Sequence, residues 1–361
     1  MYRAAKVDCI IGVCETVGHM PRFWSTDDMV RYGDSDEKHG RLQEITANMH
    51  TIVDWHLDGT EEHALIITDT DVSGRLYHTL AGVLRTFGVE PTIAVIPLMD
   101  APNNEPPPEI VGAVTETDVV VNMCRYSITH TEAIDHAIND LGKTYVLLAD
   151  PTEDYFRQGA VTADPEEVTS FMHTVATVIE RAEWIEVTSP GGTDVSFSVD
   201  GREPIFGEYP LGETPLCPVE ETVNGTIVHD SFMMGIGILD EPITWEVEGG
   251  RIKEITGGRE AAALRQYIDE RGDENAYWIG EFSVQTQPAA RPNGNYIEHK
   301  QVRGGVHFAC GTGTDLGGKY QSRIHLDGVQ LTPTVTIDGT TIIEDGEFDE
   351  ETVFELAEAA S

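Results

Sequence analysis

The first half of the chain alternates short apolar runs with amphipathic segments, and this alternation predicts strands separated by helices. Four runs have strand length and are apolar almost throughout, as expected for a parallel sheet covered on both faces. These runs are residues 63–69, 92–97, 118–123 and 144–149. We therefore predict an α/β domain with a parallel sheet over residues 1–183, in which residues 1–40 are not assigned a place.

Two of the intervening helices have clear start signals. Thr131 precedes a helix that is predicted to turn Ile134, Ile138 and Leu141 towards the core. Asp164 precedes a proline and two glutamates, which suit the first turn of a helix because they fit its geometry and its dipole.

The pattern changes at Trp184, where strands become shorter and alternate in polarity. Glycine-containing turns then recur through the second half, which is typical of antiparallel hairpins. A single helical pattern, at about residues 259–270, interrupts them. Residues 184–361 are therefore predicted to form an α+β domain rich in antiparallel hairpins.

The charge of the chain is extreme, since 63 acidic and 23 basic residues give a formal net charge of −40. The acidic residues are spread along the whole sequence, which indicates a halophilic protein whose self-repulsion is screened by salt. Nucleic acid and membranes are poor partners for such a chain. Five scattered cysteines, with no apparent signal peptide and no run long enough to span a membrane, favour a cytoplasmic location.

The most informative candidate site is the segment 322–328, which reads as a short strand. His325 and Asp327 are two residues apart, so their side chains share one face of that strand. An imidazole and a carboxylate on one face suit half of a metal site. The same pair could instead act as a base and the group that orients it.

Three further residues of the second half are candidate ligands. Glu281 lies among apolar residues and needs a cation or a hydrogen-bonded partner if it is buried. His307 lies among apolar and glycine residues, and Glu213 lies in a turn-like segment. Carboxylates and histidines together suit Zn, Mn, Co or Fe(II) rather than a thiolate site.

Two other residues are candidates for catalysis or substrate binding. His130 follows the third predicted strand, at the sheet edge where open α/β sheets bind ligands, and it is predicted to act as an acid, a base or a substrate clamp. Tyr320 lies beside Lys319 and Arg323 after a glycine-rich loop that we expect to form a wall of the pocket. This group either contacts substrate or pairs with surface acids.

With these residues in view, the second half resembles the thermophilic metalloprotease-like family. That family contains the bacterial aminopeptidases T and S and the iron-dependent 2,5-dihydroxypyridine 5,6-dioxygenases. The resemblance extends from about residue 190 to residue 346. It is carried by the segments 221–226, 249–252, 279–281, 317–319 and 325–327.

The aminopeptidase branch implies a pair of divalent ions held by five matching positions and a metal-activated water that attacks a peptide carbonyl. Those positions are Glu213, Glu281, His307, His325 and Asp327. A bridging carboxylate expected before His307 is absent, and the catalytic tyrosine expected after it falls near Thr314, so that Tyr320 is the substitute.

The dioxygenase branch implies one iron ion held by two histidines and an aspartate. His325 and Asp327 match two of these ligands, whereas Glu281 stands where a histidine is expected, and His307 is an alternative third ligand. His130 falls near a histidine that this branch presents to its substrate.

The first hypothesis is a metallo-aminopeptidase-like hydrolase that uses Zn, Co or Mn on a short peptide or another small molecule. Its metal ligands would be Glu281, His307, His325 and Asp327, with Glu213 as a further ligand or general base. The alternative is a mononuclear Fe(II) ring-cleaving dioxygenase, and a third possibility is a metal-stabilised interaction protein without catalysis. The resemblance also implies a homo-oligomer.

Overall fold

The computed structural model describes residues 36–359. The first part of the described chain contains four strands, β1 (His63–Asp69), β2 (Glu90–Ile96), β3 (Val119–Met123) and β4 (Thr144–Leu147). It also contains the helices α1 (Asp36–His56), α2 (Gly74–Thr86), α3 (Pro108–Thr115), α4 (Glu132–Asp135), α5 (Tyr155–Gln158) and α6 (Pro165–Glu180). The strands form a parallel sheet in the order β2-β1-β3-β4, which confirms the predicted α/β architecture.

Both faces of this sheet are covered, which explains why its strands are apolar throughout. Ala64 and Ile66 of β1 pack into a core with α1 and α2. Leu65 and Ile67 point to the opposite side and pack with residues of α3 and α4. The Asp164 side chain accepts the backbone N–H groups of the residues two and three positions later and caps α6, as predicted.

The helix after Thr131 differs from the prediction in its second half. Thr131 caps α4 as expected, and Ile134 is fully buried. However, Ile138 and Leu141 are 38% and 40% exposed, so their predicted inward orientation is wrong. The reason is that α4 continues as a π-helical turn over His136–Asp140, whose wider turn moves later side chains off the 3.6-residue repeat.

The second part of the described chain is dominated by antiparallel strands, as predicted. In chain order they are β5 (Trp184–Thr188), β6 (Asp194–Ser198), β7 (Glu213–Leu216), β8 (Asn224–His229), β9 (Phe232–Met233), β10 (Gly237–Ile238), β11 (Ile243–Glu248), β12 (Arg251–Gly257), β13 (Ile279–Gln285), β14 (Val306–Gly311), β15 (His325–Gln330), β16 (Thr334–Ile337), β17 (Thr340–Glu344) and β18 (Glu347–Phe348). The helices of this part are α7 (Arg259–Arg271), α8 (Tyr296–His299) and α9 (Glu350–Glu358).

These strands form two sheets that share one core. The six-stranded sheet has the order β10-β9-β15-β14-β13-β7, and the eight-stranded sheet has the order β12-β11-β8-β6-β5-β16-β17-β18. Phe197 of the larger sheet lies 4.9 Å from Phe282 and 5.8 Å from Phe308 of the smaller sheet, measured between ring centroids. The aromatic face of the smaller sheet is therefore buried against the larger one, and its other face remains for the site.

Helix α6 packs on the core of the second part, where Phe171, Val175 and Ile179 contact the antiparallel sheets. Because this helix belongs to the predicted first domain but packs on the core of the second part, the boundary at residue 183 stays a prediction. Among residues 36–359, no helix is both long and apolar enough to cross a lipid bilayer.

Candidate metal centre

Strand alternation places five candidate residues on one face of the six-stranded sheet. Phe282 and Phe308 are register partners on β13 and β14 and point into the core. Glu281 and His307 are their immediate neighbours in sequence and so point to the opposite face. Asp327 of β15 is the register partner of Ala309, which brings its carboxylate onto that same face.

The polar side chains of this face are in close contact. His307 Nε2 lies 2.7 Å from Glu281 Oε1, and His325 Nε2 lies 2.6 Å from Glu281 Oε2. His325 Nε2 is also 3.1 Å from Asp327 Oδ1, and Glu213 Oε2 of β7 is 3.9 Å from His307 Nε2. All five side chains are buried, so the sheet register brings together the whole set of ligand candidates from the sequence.

Two groups of three residues have donor atoms close enough to share a cation. In each group, Glu281, His325 and Asp327 or Glu213, Glu281 and His307, the atoms lie within 4.8 Å of one another. Glu281 belongs to both groups. Carboxylate oxygens and imidazole nitrogens in this combination suit Zn, Mn, Co or Fe(II).

The hydrogen bonding of the cluster also fits a bound cation. Within residues 36–359, four buried atoms of the cluster have no hydrogen-bond partner: Glu213 Oε2, His325 Nε2 and both carboxylate oxygens of Asp327. The close approach of His325 Nε2 to two carboxylates therefore lacks hydrogen-bond geometry. Two of these oxygens, Asp327 Oδ2 and Glu213 Oε2, lie 3.1 and 3.3 Å from the ammonium of Lys300, whereas a metal ion would satisfy the remaining two atoms, His325 Nε2 and Asp327 Oδ1.

Lys300 lies in the cluster, and sequence analysis missed it. Its Nζ is 3.1 Å from Asp327 Oδ2 and 3.3 Å from Glu213 Oε2, and the residue is only 8% exposed. The sequence offers no signal for this position, because Lys300 follows a short polar segment that reads as surface. Its burial results from α8, all four residues of which are buried.

The cluster is held in its charged form by mutual attraction. Burial alone would raise the pKa of Glu281, but His307 and His325 outweigh it and hold that pKa well below its usual range. Burial would lower the pKa of Lys300, but Asp327 and Glu213 raise it well above the ordinary value. The ammonium form of Lys300 is therefore favoured beside these carboxylates.

Gln285 determines which nitrogen of His307 can bind a metal. The Gln285 side-chain amide lies 2.6 Å from His307 Nδ1, and Gln285 Oε1 has no hydrogen-bond partner among the described residues. If the amide NH2 donates to Nδ1, the proton of neutral His307 sits on Nε2 and is donated to Glu281. If the amide is turned by 180°, its oxygen accepts Nδ1–H and leaves Nε2 free as a metal donor.

His130 reaches the cluster from the α/β part. Its ring stacks on the ring of His325 with centroids 4.4 Å apart and 25° between the planes. His130 Nδ1 forms a short contact with the carboxylate of Asp315, which lies in the glycine-rich loop before β15. Asp315 was not singled out by sequence analysis, because the partners are 185 positions apart in the chain.

A cavity of about 540 Å³ lies above the cluster, between the two parts of the chain. Glu281, His325, Asp327 and Lys300 line its polar part. Its apolar part includes Ile138, Ile205, Phe206, Leu211 and Met234. The loop between β2 and α3 contributes Asn103, whose side-chain oxygen accepts the backbone N–H of His130.

Tyr320 does not lie among the residues that line this cavity. Its ring stacks on Trp278 with centroids 4.0 Å apart, and its hydroxyl donates to the exposed carboxylate of Glu221. Lys319 beside it pairs with Glu220 and Glu221. The structure therefore places this group at the surface with acidic partners, and it gives no support to a catalytic role for Tyr320.

A buried cluster of carboxylates and histidines at the base of a cavity is typical of metal-dependent enzymes. Comparison with known proteins narrows this class. The sequence profile of the 2,5-dihydroxypyridine 5,6-dioxygenase family matches residues 98–350, and the chain belongs to that family. The resemblance stated from the sequence is thereby confirmed.

A curated relative, the 2,5-dihydroxypyridine 5,6-dioxygenase of Pseudomonas putida, is 28% identical over 213 residues. The alignment covers 52% of this chain and 59% of that relative, so the chain matches less than two thirds of the relative's length.

Two solved structures share the fold. The 2,5-dihydroxypyridine dioxygenase of Pseudomonas putida KT2440 has a TM-score of 0.73 at 18% identity, over 87% of this chain and 99% of that one. AmpT from Thermus thermophilus has a TM-score of 0.60 at 15% identity, over 84% of this chain and 99% of that one. Both branches of the resemblance are therefore represented among the structural neighbours.

Proposed function

We propose that this protein is a metal-dependent dioxygenase that opens the ring of a small hydroxylated N-heterocycle. The observation that carries the proposal is membership of the 2,5-dihydroxypyridine 5,6-dioxygenase family over residues 98–350, a range that contains every residue of the cluster. This reverses the order of the two hypotheses from the sequence, where Glu281 in place of a histidine favoured a hydrolase.

The residues of the cluster would hold one divalent ion. Glu281, His325 and Asp327 provide an imidazole nitrogen and carboxylate oxygens within 4.8 Å of one another. Fe(II) at this position would supply the chemistry of O2 activation. The reaction consumes one O2 for each ring opened and leaves both oxygen atoms in the product, so it needs no further reductant.

His130 is proposed as the general base for a substrate hydroxyl. With the Nδ1 proton directed at Asp315, Nε2 is the ring nitrogen that can accept a proton. The His130 ring also lies against His325, so a proton accepted there is next to the proposed metal ligand. Asp315 then keeps the ring in one orientation and stabilises it when it becomes charged.

The cavity suits an aromatic molecule of one ring. Its volume of about 540 Å³ is in the usual range of small-molecule sites. Met234 and Leu211 offer apolar contact to a ring, whereas Lys300 offers a cation to an ionised hydroxyl or carboxylate. Sequence and fold together thus favour a small polar aromatic compound over a peptide.

A metallo-aminopeptidase-like hydrolase remains the second candidate. It is favoured by one observation, that Glu281 is shared between two groups of potential ligands, as a bridging carboxylate between two ions would be. The fold similarity to AmpT agrees with this alternative.

We further propose a cytoplasmic, halophilic homo-oligomer that binds a small molecule and neither nucleic acid nor membranes. The net charge of −40 supports the salt requirement and argues against polyanionic partners. Cys124, Cys217 and Cys310 are free buried thiols, which suits a reducing compartment.

The test is oxygen uptake by protein that has been loaded anaerobically with Fe(II) in concentrated KCl and then given 2,5-dihydroxypyridine. We expect uptake that is lost in His325→Ala and retained in His78→Ala, an exposed histidine on α2. Aminoacyl substrates hydrolysed after Zn, Co or Mn loading, without oxygen uptake on any dihydroxypyridine, would replace the proposal by the hydrolase.

A further inference from the structure

We propose that Lys300 acts as a built-in cation that takes the place of a second metal ion, so that the cluster accepts one divalent ion per chain. The inference rests on the metal dependence proposed above, but not on the reaction that the metal supports.

The ammonium group contacts one member of each potential ligand group. Lys300 Nζ is 3.3 Å from Glu213 Oε2, in the group that also contains His307. It is 3.1 Å from Asp327 Oδ2, in the group that also contains His325. The two contacts are not equivalent, because Asp327 keeps its second oxygen, Oδ1, 3.1 Å from His325 Nε2.

This asymmetry indicates which of the two ligand groups holds the single ion. Glu281, His325 and Asp327 still present a complete set of donors when Lys300 occupies Asp327 Oδ2. In the other group, His307 Nε2 is 3.9 Å from Glu213 Oε2, the atom that Lys300 approaches more closely. The ammonium therefore competes directly for the carboxylate that a second ion would need.

The charges of the cluster support the same conclusion. Glu213, Glu281 and Asp327 are three buried carboxylates facing the single ammonium of Lys300. A histidine that binds a metal ion through its nitrogen is neutral, so with the ion bound and His307 also neutral, one divalent ion makes this set electrically neutral. A second divalent ion would leave two excess positive charges in a buried site, which is strongly unfavourable.

The surrounding structure holds Lys300 in place. The helix α8 that precedes it is capped by Asn295, whose side chain accepts the N–H of Glu298. The fully buried Glu298 carboxylate in turn accepts hydrogen bonds from Arg291 and Asn293. Lys300 thus extends from the end of a buried, hydrogen-bonded helix rather than from a surface loop.

The experiment counts metal ions. Wild-type protein, Lys300→Met and Lys319→Met are freed of metal, titrated with Mn²⁺ alone at constant high KCl, and assayed for bound ions per chain. Methionine keeps an unbranched side chain that is one heavy atom shorter and removes the charge. We expect one ion in the wild type, two in Lys300→Met, and one in Lys319→Met, which loses an exposed lysine.

A double variant, Glu213→Gln with Lys300→Met, removes the ammonium together with one carboxylate and is expected to return to one ion. Two ions in the wild type, or one ion in folded Lys300→Met, would overturn the inference. If Lys300→Met does not fold, Lys300→Gln, which also removes the charge but stays polar, takes its place with the same expected count of two ions, and one ion in folded Lys300→Gln would overturn the inference.

The outcome is independent of the proposed reaction. A wild-type chain that binds no divalent ion would remove both the proposed function and this inference. One ion in both the wild type and Lys300→Met would contradict the inference about Lys300 but not the proposed function. Failure of the oxygen-uptake assay would contradict the proposed function but not this inference.

Discussion

Replacing Asp150 by asparagine should change the pH dependence of stability in a calculable way. Asp150 follows β4 at a backbone φ of +51°, and its side chain is buried. The carboxylate is bonded to Arg125 and accepts the backbone N–H of Tyr296, so it connects the parallel sheet to the helix before Lys300. Burial raises the pKa of Asp150 from 3.8 to about 6, although Arg125 acts in the opposite direction.

The direction of the pH dependence of stability follows from proton binding at Asp150. Between pH 3.8 and about 6 the folded state binds more protons at Asp150 than the unfolded state, so the stability contributed by the neutral carboxyl falls as pH rises. The whole shift corresponds to about 3 kcal/mol. Of this amount, about 1.4 kcal/mol is lost between pH 5 and pH 7.5, a window above the isoelectric point.

The assay is urea unfolding of wild type and Asp150→Asn at pH 5 and pH 7.5, in the same KCl concentration. Asparagine tolerates the positive φ and keeps an acceptor for the Tyr296 N–H. We expect the variant to gain about 1.4 kcal/mol relative to wild type over this pH range. The control is Asp54→Asn, which changes an exposed carboxylate on α1.

A stability difference between wild type and Asp150→Asn that stays constant within about 0.5 kcal/mol across this range would refute the reasoning. The same would follow if Asp54→Asn showed an equal dependence on pH, since the effect would then come from net charge and not from burial at Asp150.

Three other predictions concern the site and the surface charge. His130→Asn should lower kcat for oxygen uptake by about 10²–10⁴-fold, and Asp315→Asn should do so by less, because a base is lost in the first and only its orientation in the second; unchanged kcat in both would exclude the proposed base. Gln285→Leu should leave the dissociation constant for the single divalent ion nearly unchanged in a chelator competition, because His307, whose Nδ1 Gln285 contacts, is outside the donor group Glu281, His325 and Asp327; a weakening of about 10–100-fold would instead make His307 a ligand of that ion. The urea midpoint of the wild type should rise steeply between 0.1 and 3 M KCl, because the chain has a net charge of −40 and the Debye length falls to about 3 Å at 1 M salt; a flat or falling midpoint would contradict the halophilic assignment.

The fold class and the local order of the elements were predictable because they depend on short-range patterns. The apolar run of β1 and the cap at Asp164 each reflect constraints within a few residues. The same holds for His325 and Asp327, which share a strand face because of the two-residue repeat.

The rest of the site depends on long-range pairing, which periodicity does not specify. Glu281 meets His325 only because β14 lies between β13 and β15 in a particular register. The contact between His130 and Asp315 requires the two parts of the chain to face each other across the cavity. Ile138 was misassigned because a π-helical turn breaks the helical repeat at that point.

Lys300 illustrates a different limit of prediction from sequence. A lysine is ordinarily exposed, and its neighbours in sequence are polar, so the prior expectation favours the surface. It is buried at the end of α8, where Glu298 pairs with Arg291, and its ammonium faces carboxylates contributed by β7 and β15. Only the folded arrangement shows that the cluster already contains a cation.

The most direct test of the proposed function is the fate of labelled oxygen. Fe(II)-loaded protein is given 2,5-dihydroxypyridine under ¹⁸O2 in unlabelled water, and the product is analysed by mass spectrometry. A dioxygenase predicts a ring-opened product that carries two ¹⁸O atoms. A product whose added oxygen comes only from water, or an unconsumed substrate together with hydrolysis of aminoacyl compounds, would contradict it.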